Sequence, residues 1–232
     1  MPLVAETTAR QPTAMLRIAG LVMIILSVVL LAVFPTAPAR RNLPGIQSPI
    51  IGFELARTRE DVAGLLGDPG TPERAAYAAH MDRGNYLDFA FMVAYAVFHA
   101  AIALRLAARG RLSRSLLVVL LVLAADMLVF DALENRELLI LSAAEPSPLM
   151  DDALARLRVF TLLKWYAIFG SAALLAPVLW REQDSSRMAA PLFALAALCG
   201  VVGLLHPPGI EWGAYAIALA WLVTWIHALR RA

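Results

Sequence analysis

The stretch AADMLVFDALENRELLI, residues 124 to 140, sets Asp126, Asp131, Glu134 and Glu137 into a run that otherwise reads as the second half of a membrane-spanning helix. An ionised side chain near the bilayer centre costs ~2.5–3.5 kcal/mol on insertion scales, and less toward the interface. Acids in such a run are therefore expected to face other helices and to be paired there. Asp131, Glu134 and Asn135 share one helix face through their i, i+3, i+4 spacing. Asp88, Met92, Tyr95 and His99 form a second stripe, within ~40° of one line at ~100° per residue. A third apolar run holds Lys164, the only lysine of the chain. Together these residues predict a water-accessible polar pocket in the outer half of the membrane. In it Lys164 counters Asp131 or Glu134, Asn135 and Tyr95 add hydrogen bonds, His99 or Asp126 lies at the floor, and Glu54 of FELA covers the top.

Residues of these types can do several kinds of chemistry. A carboxylate beside Lys164 in a desolvated site is suited to general acid or base work, or to holding a proton or cation in a carrier. His80, Asp82 and Asp88 lie near one another, but no His-x-x-x-His or Glu-x-x-His pair accompanies them, and no metal or other cofactor is assigned. No serine or cysteine stands beside a histidine in a nucleophilic arrangement, and phosphate-binding glycine loops are absent. Blander roles stand beside these. Glu134, Asn135, Arg136 and Glu137 read as a solvated helix end, Asp88 and Lys164 as snorkelling side chains, His99 as a packing residue and Asp126 as a structural interhelical bond. Trp212, Trp221 and Trp225 read as belt and packing aromatics without a site role.

The frame for these groups is a membrane bundle. Of 232 residues 60% are hydrophobic and only 16% charged, and the mean hydropathy is +0.69, far too apolar for an ordinary soluble domain. The net charge of +2 comes from scattered arginines, so no nucleic-acid-binding face is implied. The single cysteine, Cys199, excludes an intrachain disulfide and a cysteine metal cluster. A span needs ~20 mainly apolar residues to cross ~30 Å of hydrocarbon. Six runs qualify, at about 15–34, 86–106, 116–133 with a possible extension to 141, 159–180, 188–205 and 212–229, and they form one all-α membrane domain over 1–232. Pro177 should kink the fourth span or start its exit.

Arginine placement predicts the orientation. The loop RLAARGRLSRS carries Arg105, Arg109, Arg111 and Arg114 without an acid, which marks it as cytoplasmic. Arg10, Arg17, Arg181, Arg187, Arg230 and Arg231 fall on the same side, so both termini are expected inside a bacterial inner membrane. The first span, with a basic flank and APA at Ala37 to Ala39, also fits a signal peptide; about twenty apolar residues are long for that, and a retained span is expected. Between the first two spans, residues 35–85 form an outer segment. Its part from Ser48 to Gly67 reads as one amphipathic helix, with Ile51, Leu55, Val62 and Leu66 toward one face and Arg57, Arg59, Glu60 and Asp61 toward the other.

The segments FELA (Phe53 to Ala56), LDFAFMVAYA (Leu87 to Ala96), DALEN (Asp131 to Asn135) and LLKW (Leu162 to Trp165) together resemble a group of small bacterial multi-spanning membrane proteins of unknown function, over about residues 45–175. The resemblance implies that these segments belong together and carries no substrate or cofactor. Three functional classes remain open on the residues alone. One is a protein binding, or acting on, a lipid or small amphipathic molecule. Another is a non-catalytic subunit of a membrane complex, and the third a small proton- or cation-coupled transporter. Membrane lipids are the expected partners in each case, with other membrane proteins in the second.

Overall fold

Each long apolar run becomes a helix in the computed structural model, which describes residues 2–144, 146–182 and 185–230. The order is α1 (Pro2–Val33), α2 (Pro49–Glu54), α3 (Arg59–Leu66), α4 (Pro72–Ala108), α5 (Arg114–Ala143), α6 (Pro148–Trp180), a short 3₁₀ turn (Ser185–Ala189), α7 (Ala190–Gly203) and α8 (Pro208–Leu229), with no strand among the described residues. Among the described residues six stretches are long and apolar enough to cross a membrane: Gln11–Val33, Pro72–Ala108, Arg114–Ala143, Pro148–Trp180, Ser186–Gly203 and Pro208–Leu229. The protein is an integral, multi-pass membrane helix bundle.

These six helices form a ring. Each packs against the next spanning helix in the chain, and α8 returns to α1. The closing hydrogen bonds between α8 and α1 lie near the start of the spanning stretch of α1: Trp225 Nε1 donates to the carbonyl of Arg17 at 3.0 Å, and Arg17 Nε donates to the carbonyl of Ala228 at 2.9 Å. Gly20 lies directly beneath the Trp225 ring. Large apolar side chains fill the interior on this side, among them Leu16, Phe98, Ile102, Met127, Leu175 and Phe193.

At the other end α4, α5 and α6 outrun the expected spans. Residues 72–85, assigned from the sequence to the outer segment before the second span, are already α4; α5 runs on to Ala143 and α6 begins at Pro148. Local chemistry explains the extension. The Thr71 side chain caps α4 by accepting from the Arg74 backbone N–H at 3.2 Å, and Pro72 supplies a preset first-turn backbone. The Arg74 guanidinium, buried, donates to the carbonyls of Gly67, Leu141 and Ala144, so the open C-terminus of α5 is satisfied from α4. A second apolar core then forms among Phe53, Leu65, Leu66, Met81, Leu138 and Leu157, against which α2 and α3 are seated.

The single amphipathic helix expected over 48–67 is two helices. Thr58 forms a capping box with Asp61, the side chain of each accepting from the backbone N–H of the other at 3.1 and 3.0 Å, and this starts a new helix after a break at Leu55 to Arg57. The facial pattern survives the break: Ile51, Leu55, Val62 and Leu66 are buried, while Arg57 and Glu60 are exposed. Pro177 ends α6 only three residues later, at Trp180. Between α7 and α8, a Cβ on Gly209 would stand 2.6 Å from the Gly203 backbone nitrogen, so this turn closes backbone against backbone.

Candidate functional site

The C-terminal residue of α2 reaches down into the ring and meets α5 and α6 there. Lys164 Nζ lies 3.1 Å from Glu54 Oε1, 3.3 Å from Asp131 Oδ1, and in direct contact with Glu134 Oε2. All four side chains are buried. Hydrogen bonds tie the remaining oxygens. The Thr161 hydroxyl is 2.5 Å from Glu134 Oε1 and 3.0 Å from the carbonyl of Glu54, and Trp165 Nε1 donates to Glu54 Oε2 at 3.0 Å. Tyr95 donates from α4 to Asp131 Oδ2 at 2.5 Å, and the Lys164 ammonium stands 4.9 Å over the Trp165 ring. Burial pushes the Glu54 carboxyl above its ordinary value, while the ammonium of Lys164 pulls it the other way.

One ammonium thus serves three carboxyl groups, and a fourth stands close by. Asp88 Oδ2 accepts from Asn135 Nδ2 at 2.7 Å, and among the described residues no cation lies within ion-pair distance of it. Asp88 shares a cavity of about 190 Å³ with Glu54, Asp131 and Lys164. Aromatic and aliphatic residues form the rest of the wall: Phe91 and Tyr95 from α4, Trp165 and Ile168 from α6, and Ala214, Ile217, Ala218 and Trp221 from α8. Phe91 and Ala214 are half-buried and Ala218 is exposed, so the cavity reaches the side of the bundle between α4 and α8. The gap exists there because the contacts that bring α8 to α1 lie near its other end, at Trp225 and Ala228.

Glu54, Asp131, Glu134 and Lys164 are therefore brought together, with Tyr95 bonded to the group and Asp88 and Asn135 joined to each other at its edge. His99 lies one turn further along α4, its ring 5.2 Å from that of Trp221 and its Nδ1 3.2 Å from the carbonyl of Tyr95. It does not line the cavity. Asp126 departs from expectation. It is half-buried and lies outside the cavity lining, because five residues of helix turn it well away from the face that carries Asp131. The solvated helix end expected at Arg136 and Glu137 is likewise corrected: Arg136 is exposed, but Glu137 is fully buried and pairs with Arg156 at 2.9 Å.

Four participants escaped the sequence reading. Thr161 and Trp165 flank Lys164 on α6, and the i, i+3 spacing of Thr161 and Lys164 was the available signal for the first. Trp221, assigned to packing, stacks on Tyr95 with ring centroids 5.5 Å apart and forms part of the cavity wall. Nothing local marks that role, since it depends on where α8 lands. Glu211, at the start of α8, accepts from the backbone N–H groups of Gln47 and Ser48 at 2.9 and 2.6 Å and so fixes the start of α2, whose far end carries Glu54. No protein-family model, curated protein or solved structure matches this chain, and the meaning of the cluster has to come from its own geometry.

Proposed function

We propose that the protein binds an amphipathic small molecule taken sideways from the bilayer, with its polar head against the Lys164 cluster and its apolar part leaving between α4 and α8. The observation that carries this reading is the cavity itself, polar at the α2 end and apolar toward Ala218. Its volume of about 190 Å³ suits a head group rather than a whole lipid, at roughly 30 Å³ per water-sized unit. A surrounding hydrocarbon phase supplies the rest of the binding surface. With the arginine-rich loop between α4 and α5 taken as cytoplasmic, the pocket lies toward the outer leaflet of a bacterial inner membrane and both termini lie inside. Kinship with small bacterial multi-spanning membrane proteins, through the FELA, LDFAF, DALEN and LLKW segments, is part of the same proposal.

A carrier has less support. It needs polar access from the cluster toward the far end, and the way past His99 is filled by Phe98, Ile102, Met127 and Leu175. No observation singles out one lipid-facing surface as a subunit interface. The test is extraction of the protein in mild detergent and mass spectrometry of bound small molecules, with Ala218→Trp and Asp131→Asn alongside. Ala218 is exposed, so tryptophan there narrows the mouth without entering the core. About one amphipathic molecule per chain in the wild type, lost in Ala218→Trp, is the expected result. Equal small-molecule content in wild type and Ala218→Trp overturns the reading.

A further inference from the structure

We propose that the head group taken by this cavity is cationic, an alkylammonium with a hydroxyl or carbonyl oxygen close by, and that Asp88 is its counter-ion. The inference rests on the amphiphile-binding reading and narrows it to one charge class. Three carboxyl groups line the cavity, Glu54, Asp88 and Asp131, against one ammonium. That ammonium is already enclosed by Glu54, Asp131 and Glu134, so it offers little to an anionic ligand. Asp88 is different. Among the described residues its one side-chain hydrogen bond is to the neutral Asn135 amide, and it is half-buried at the side of the cavity rather than locked inside the cluster.

The walls point the same way. Tyr95, Trp165 and Trp221 all line the cavity, and aromatic faces attract cations through the ring quadrupole, an effect strengthened where water is excluded. The same negative faces disfavour an anion. Trp221 adds a separate observation. It is only 6% exposed, it forms part of the wall, and its indole N–H has no hydrogen-bond partner among the described residues. A buried donor left unmade is unfavourable. Its nitrogen is closed off from the cavity as the ring stands, so a small turn of the ring on ligand entry would let an oxygen next to the ammonium of the ligand accept from it, while the ammonium itself turns to Asp88. Amino alcohols on an alkyl chain have this pairing of groups, and so do amines beside an ester or amide carbonyl.

The test is calorimetric titration of the whole protein in lipid nanodiscs, with empty nanodiscs subtracted, using three probes of equal chain length: decylamine, decanol and decanoate. Decylamine is expected to bind saturably and at least about tenfold more tightly than decanol, a difference of one buried charge contact. Decanoate is expected to give no saturable signal. Asp88→Asn, which keeps an acceptor for Asn135, should bring decylamine down to the level of decanol and leave decanol unchanged. Ala218→Trp should abolish both. Equal binding of amine and alcohol, a preference for decanoate, or an Asp88→Asn variant that still favours the amine each overturns the cationic assignment while the amphiphile pocket stands. If no probe gives a signal that Ala218→Trp removes, the pocket reading fails and this inference with it.

Discussion

Lys164 is the residue on which the cluster turns. Its ammonium touches carboxyl groups from α2 and from two positions of α5, so all three lose their common partner if it goes. Removing one member of a buried ion pair typically costs about 3 to 5 kcal/mol, because the orphaned charge stays desolvated. Lys164→Met should therefore lower the unfolding midpoint of the detergent-solubilised protein strongly. Adding Glu134→Gln should recover part of the loss, since it removes one orphan and is coupled to the first change through direct contact. A neutral Lys164→Met variant would mean that the network contributes no net stability. The acids around this lysine were legible in the sequence because an apolar run makes each of them expensive and so conspicuous. Thr161 and Trp165 were not, since threonine and tryptophan in a spanning helix carry no comparable penalty.

Among the elements, α2 has a role out of proportion to its six residues. It is pinned at both ends by side chains from distant helices: Glu211 of α8 accepts from the backbone at its start, and Lys164, Thr161 and Trp165 of α6 hold Glu54 at its end. A helix this short has no stability of its own, so its position is set by those contacts. Glu211→Ala removes the acceptor of two backbone donors and of the Tyr215 hydroxyl, at about 0.5 to 1.5 kcal/mol for each of these partly buried hydrogen bonds. Amide exchange should then quicken over residues 47–54 while the middle of α4 and α5 keeps its protection. Uniform loss of protection across the bundle would show that Glu211 supports the whole fold and not α2 alone. Helicity over 48–67 was readable from its spacing. The break was also written there, as Thr58 three residues before Asp61, and a hydrophobic period that continues in phase through Ile51, Leu55, Val62 and Leu66 concealed it.

For the molecule as a whole, the span count follows from apolar length, but the identity of the cavity walls does not. Sequence neighbours suggested α4, α5 and α6 as the walls; the ring closure instead brings α8 opposite α4 and adds Trp221, a long-range result that no local period encodes. Charge is distributed in a way that makes orientation testable. Arginines occur at both ends, but near α2 many are paired, as in Arg40 with Asp68, Arg59 with Asp151 and Arg156 with Glu137. At the far end Arg109 and Arg111 both pair with Glu182, and Arg114, Arg181 and Arg187 stand exposed. Arginines in short loops are the groups that resist translocation, and the α4–α5 turn carries Arg109 and Arg111 with Arg114 at its end, so that turn should be cytoplasmic and α3 should face out. In a Cys199→Ser background, a membrane-impermeant maleimide should label Glu60→Cys in intact cells and label Ser115→Cys only after lysis. The reverse pattern would invert the bundle, and the cavity beside Asp88 would then draw its ligand from the inner leaflet.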